Sequence, residues 1–158
     1  MTHPKNKRLA VLFLAILAVV FYLAEGSLGG IGDSHKGELN HSEEQNSNAH
    51  KTLQGYFDKK VSGKMITINA KITKVLRDDL HPPRHQRFII KLDNNLTVLV
   101  THNTDLAPRV KSIKAGEWIK VTGQYEWNSK GGVIHWTHHD PQGRRDGGQI
   151  IYKGKVYR

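Results

Sequence analysis

The chain has 158 residues, enough for one ordinary domain with extensions and too few for two large ones. With 24% charged and 37% hydrophobic residues it has a globular make-up, which excludes a chain disordered throughout. The absence of cysteine excludes disulfides and thiolate sites, while a formal net charge of +10 favours anionic partners, although such a charge also simply keeps a small protein soluble.

Basic residues Lys5, Lys7 and Arg8 precede the unbroken apolar run Leu9–Ala24. That is the export pattern, and residues 1–26 are predicted to be a signal peptide or a signal anchor. The run falls just short of the ~17–25 residues of a usual spanning helix. Ala24-Glu25-Gly26 supplies only passable small residues for cleavage, so an inner-membrane anchor stands beside the cleaved leader. Either way the remainder is expected outside the inner membrane, periplasmic or otherwise extracytoplasmic. Residues 27–50, rich in Gly, Ser, Asn, Glu and His, read as a flexible polar spacer. His35, His41 and His50 receive no role there. Leu53, Tyr56 and Phe57 have the spacing of a short amphipathic helix.

From Met65 the period becomes two. Ile66, Ile68, Ala70 and Ile72 alternate with polar residues, and the phase slips after Thr73, which predicts a bulge or bend. Residues 77–86 form a polar loop with Pro82 and Pro83. Strands follow at 87–92 and 96–101 around the turn Asp93-Asn94-Asn95. Residues 104–113 have room for one or two helical turns capped by Thr104 or Asp105. The fourth strand carries Ile119, Val121, Tyr125 and Trp127 on one face, the fifth runs from Val133 to Thr137, and residues 150–157 form a C-terminal hairpin. The expected class is mainly β: a five-stranded OB-fold-like barrel with one short helix, behind an N-terminal hydrophobic leader.

The stretch IKAGEWIKVTGQYEWNSKGGVIH, Ile113–His135, resembles the fourth and fifth strands of small secreted bacterial OB-fold proteins. The run HWTHHDP, His135–Pro141, with a basic glycine stretch and an aromatic hairpin over Arg144–Tyr157, is similar to a family of short bacterial envelope proteins classed only as a domain of unknown function. The resemblance covers roughly residues 51–158. It implies the barrel and no particular activity.

The chemistry concentrates at Gly131–Arg145, GGVIHWTHHDPQGRR. Strand alternation puts Ile134, Trp136 and His138 on one side and His135, Thr137 and His139 on the other, with pairing expected to end near His139 because of Pro141. Four readings follow. His135, His138, His139 and Asp140 are enough donors for a zinc-like divalent transition metal, with His81, His85 and His102 as additional ligands. Alternatively His135, Trp136, Arg144 and Arg145 bind an anionic ligand or nucleic acid, with Arg84, Arg87 and Lys130 nearby and Tyr125, Trp127 and Trp136 as stacking platforms. A hydrolase of phosphodiesterase or nuclease type would use His138, His139 and Asp140 as catalytic residues, although from residue 51 onward the only adjacent carboxylates are Asp78-Asp79. In the plainest reading the histidines donate to carbonyls, Asp140 caps the turn at Pro141 and Trp136 seals the barrel. Lys51, Lys59, Lys60 and Lys64 read as a solvated face. Oligomeric state leaves no mark on the sequence.

Overall fold

The computed structural model describes residues 32–158; the expected leader or anchor, residues 1–26, lies outside them. A helix, α1 (Gly32–Asp58), precedes seven strands: β1 (Lys64–Val75), β2 (His85–Lys91), β3 (Thr97–Asn103), β4 (Trp118–Glu126), β5 (Val133–His135), β6 (Gln149–Tyr152) and β7 (Lys155–Tyr157). Neighbours run β1-β2-β3-β5-β4, and β4 pairs back onto β1, so five strands close into a barrel. All contacts are antiparallel except β3 with β5.

The alternation expected of β1 is present: Ile66, Ile68, Ala70 and Ile72 face inward between exposed neighbours. The predicted slip is also there, as a register shift between Ile72 and Lys74 where β1 bends from β4 onto β2. Phe88, Ile90, Val98, Val100, Ile119, Val121, Tyr125 and Ile134 complete the core. Tyr125 is fully buried and its hydroxyl donates to the Gly131 carbonyl at 3.2 Å, so it is a packing residue and no stacking platform.

The helix expected at Leu53, Tyr56 and Phe57 is present as the end of α1, whereas the one expected between β3 and β4 is not. Residues 104–113 are turns, because the groups predicted to cap a helix there serve the neighbouring loop. Asp105 accepts from the Arg84 backbone N–H and Nε at 2.8 and 2.6 Å, Thr104 Oγ1 donates to the Arg84 carbonyl, and Pro108 has no N–H to continue a helix. α1 instead extends through part of the stretch read as a polar spacer. Docking explains its last turns. Leu53 is fully buried in the core, and His50, given no role in the sequence, is buried as well.

The N-terminal half of β1 has no β2 partner, and α1 satisfies that edge with side chains. Asn46 Oδ1 accepts from the Asn69 N–H at 3.0 Å, and His50 Nε2 donates to the Asn69 carbonyl at 3.0 Å. Gln54 Oε1 accepts from Asn94 Nδ2 in the β2–β3 turn. Among the described residues no helix is long and apolar enough to cross a membrane. Leu53→Ala is expected to lower the unfolding free energy by about 2–5 kcal/mol, measured by urea denaturation, because α1 holds the barrel chiefly through that side chain.

Candidate functional site

β4 has one neighbour on one edge and two on the other. Gln124–Glu126 pair with β5 and Lys120–Thr122 pair with β6, both antiparallel. β5 and β6 are therefore two pieces of one line beside β4, interrupted opposite Gly123 by an excursion over residues 136–148. The ends of that excursion pair with Gln124 and Thr122, two residues or roughly 7 Å apart at the usual strand rise. It has the build of an Ω-loop.

Glycine makes the exit possible. A Cβ on Gly123 would collide with the His135 carbonyl oxygen and come within 2.9 Å of Thr137 Cγ2. One on Gly148 would collide with the Trp136 carbonyl oxygen and come within 2.8 Å of Thr137 Cα. The loop then closes through Gly148 N–H, which donates to the His138 carbonyl at 2.8 Å.

The strand stops at His135 because Trp136 takes a left-handed backbone, φ 55°. A bulky side chain rarely adopts that conformation, at a cost of about 1–3 kcal/mol. It also reverses the expected alternation at Trp136 and Thr137. Thr137 turns inward and is buried, whereas Trp136, expected in the core, stays half-buried at the surface; His138, on the core side of the expected alternation, is buried. The Arg145 guanidinium lies 3.6 Å above the Trp136 ring, and Arg145 Nη1 donates to Gln124 Oε1 at 3.3 Å. Beside them opens a cleft of about 510 Å³ lined by Leu106, Trp136, Asp140, Pro141, Gln142, Arg144 and Arg145.

Asp140 is the loop's internal cap. Its carboxylate accepts backbone N–H groups of Gln142, Arg144 and Arg145 at 3.1, 2.8 and 3.1 Å, and those bonds, led by Gln142, hold its pKa below the usual aspartate value. His138 donates from Nδ1 to the His139 carbonyl at 2.7 Å, and its ring packs on Trp136 with centroids 4.8 Å apart. Burial, the chief cause, lowers its pKa and keeps it neutral. His139 is exposed, and His135 Nε2 stands 3.6 Å from Glu126.

The two walls of the cleft share one buried residue. His102 donates from Nε2 to the Pro108 carbonyl at 3.1 Å, which leaves Nδ1 to accept the Thr137 hydroxyl at 2.8 Å. It thus ties the 104–113 connection, which brings Leu106, to the start of the loop that brings Trp136. The sequence marked His102 only as an additional metal ligand. Its placement on the inward register of β3, with Val98 and Val100, was the signal for a buried role.

Residues 38–158 match the family described as protein of unknown function, DUF3465. The chain belongs to that family. No curated protein matches it.

In this DUF3465 protein the sequence candidates separate. Trp136, Arg144 and Arg145 meet at the cleft with Asp140, and His135 stands nearby on β5, opposite Gln124. His135, His138, His139 and Asp140 do not form a donor set: among the described residues no three His, Asp or Glu side chains converge as a metal centre would require. Asp140 is engaged by backbone N–H groups, so it does not orient His138 as an acid–base pair would.

Arg84 is paired with Asp105, Arg87 donates twice to the Arg77 carbonyl, and Asp78 is paired with Arg109 at 2.7 Å. Lys130 is exposed in the β4–β5 turn. Trp127 packs against the core beneath Lys60.

Burial, the leading cause, also lowers the pKa of His102 from 6.5. A histidine depressed in the folded state binds fewer protons than in the unfolded chain, so stability is full above about 6.5 and falls as pH drops toward the folded value. The urea midpoint of the native protein is expected to decrease from pH 7.5 to pH 5.5, and His102→Gln is expected to flatten that dependence.

Proposed function

We propose that this protein is an exported binding module, built on an OB-fold, that takes an anionic ligand in the cleft between the 136–148 loop and Leu106. The carrying observation is the Arg145 guanidinium stacked on Trp136. Stacking fixes the plane of the guanidinium, so its remaining N–H donors are presented edge-on, the geometry that takes a phosphate or carboxylate bidentately. Among the described residues neither Arg144 nor Arg145 has a carboxylate within ion-pair distance except through the Asp140 turn itself, where the bonds run to backbone N–H groups.

The OB-fold reading is supported by the closed β1-β2-β3-β5-β4 order with β3 and β5 parallel. Export, with the domain periplasmic and cleaved from or tethered to the inner membrane, is supported by the basic residues and apolar run before Glu25. In this reading Trp136 is the platform, Arg145 and Arg144 are the anion donors, and His135 stands beside them as a further ring N–H donor.

The test is binding of inorganic pyrophosphate and of a short oligonucleotide by calorimetry over a series of salt concentrations. Arg145→Ala is expected to weaken binding about tenfold or more and to reduce the salt slope, while Arg84→Ala, already paired with Asp105, leaves both unchanged. Equal affinity in the native protein and Arg145→Ala would remove the proposal.

A further inference from the structure

The cleft has a continuation on the outer face of the barrel. Gln124, which accepts from Arg145, is an outward residue of β4, and the outward positions of that strand run back through Thr122 and Lys120 to Trp118. Trp118 is 52% exposed, high for so large an apolar side chain.

Register places Lys71 of β1 directly beside Trp118, with Nζ 5.7 Å from the ring centroid, and Lys91 of β2 directly beside Lys71. Two lysines in cross-strand register repel each other. Among the described residues neither has a carboxylate at ion-pair distance. Between this end and the cleft, the outward partners across β1, β4 and β6 are Asn69, Lys120 and Ile151, then Thr67, Thr122 and Gln149, with no Asp or Glu among them. A tryptophan beneath a cation therefore stands at each end of one β4 face. The six residue steps from Trp118 to Gln124 span roughly 20 Å at the usual strand rise.

We propose that the anionic ligand is a single-stranded nucleic acid laid along this face, with one base against Trp136, another against Trp118, the intervening phosphates passing Lys120, and the phosphates next to the Trp118 base meeting Lys71 and Lys91. The inference rests on the cleft reading above and extends it from a point site to a track. Alternating aromatic platforms and cations are what a strand of bases and phosphates requires, and the span fits a site of about four nucleotides or more. A polyanion at Lys71 and Lys91 also relieves the repulsion built into that pair.

The experiment measures fluorescence-anisotropy binding of labelled oligothymidylates, a dinucleotide and an octanucleotide, to the full chain, with heparin as competitor. The octanucleotide is expected to bind at least tenfold tighter than the dinucleotide. Trp118→Ala is expected to remove that advantage, since stacking on one aromatic is worth about tenfold, while leaving dinucleotide binding intact. Lys71→Gln with Lys91→Gln is expected to lower the salt slope for the octanucleotide by about 1.4.

Octanucleotide binding that depends on Arg145 but is indifferent to Trp118 and to length overturns the track and leaves the cleft. No binding of either oligonucleotide, or binding indifferent to Arg145, overturns both. Displacement by heparin at lower concentration than by unlabelled octanucleotide overturns the assignment to nucleic acid in favour of an acidic polysaccharide. All these side chains are exposed, so the variants keep the fold, which circular dichroism verifies.

Discussion

The outer edge of β4 is the constraint on which both barrel and cleft depend. A barrel of five strands needs β5 on that edge to reach β3, and the same edge must also receive β6 for the C-terminal hairpin to bury Ile150, Tyr152 and Tyr157. Ladder hydrogen bonds on either side of Gly123 fix both anchor points of the intervening chain. Whatever lies between them must leave the sheet and return within a few ångströms. Closing a loop costs little extra free energy per added residue. The position is therefore open to a long functional insertion without harm to the barrel, provided Gly123 and Gly148 stay small.

Within that insertion, the backbone is shaped by polar groups rather than by apolar burial. Asp140 gathers three N–H groups, Gly148 binds the His138 carbonyl, and the Thr137 hydroxyl reaches His102. Together these bonds fix where Trp136 and Arg145 stand. His102 matters for the cleft as a whole, because it bonds to both walls. The fold thus sets the entrance and exit of the loop, and a small polar network sets its interior.

How far this was legible in the sequence follows the same division. Period-two alternation located β1 to β4 and placed Tyr125 among the core residues, and the slip at Thr73 marked a real bend, because both signals come from which side chains must avoid water. Of the His135–Arg145 stretch, Trp136, Arg144 and Arg145 meet at one cleft. Their arrangement could not be read, since it depends on one left-handed residue, Trp136, whose type gives no hint of such a backbone. Alternation carried past His135 consequently put Trp136 in the core. The helix expected between 104 and 113 does not form for an analogous reason: a good capping residue, Asp105, is claimed by Arg84 from a distant loop. α1 was seen only at its apolar end, because Asn46, His50 and Gln54 dock through hydrogen bonds, which leave no hydrophobic periodicity.

Several features of the surface make sense only if stability was not the sole requirement on it. A tryptophan in left-handed geometry, Lys71 set against Lys91 without a carboxylate, and a half-exposed Trp118 each cost something in the isolated fold. None of these side chains fills the barrel core, which lies on the opposite face of β1, β2 and β4. They occur along one strip, joined by Gln124 and Lys120. Left-handed residues and exposed apolar side chains also occur elsewhere, at Ser112 and Leu80 for example, but along this strip they stand together with the Lys71 and Lys91 pair, which has no carboxylate at ion-pair distance among the described residues. That coincidence of unfavourable choices, more than the total charge of +10, is the argument for looking at this strip for the protein's partner.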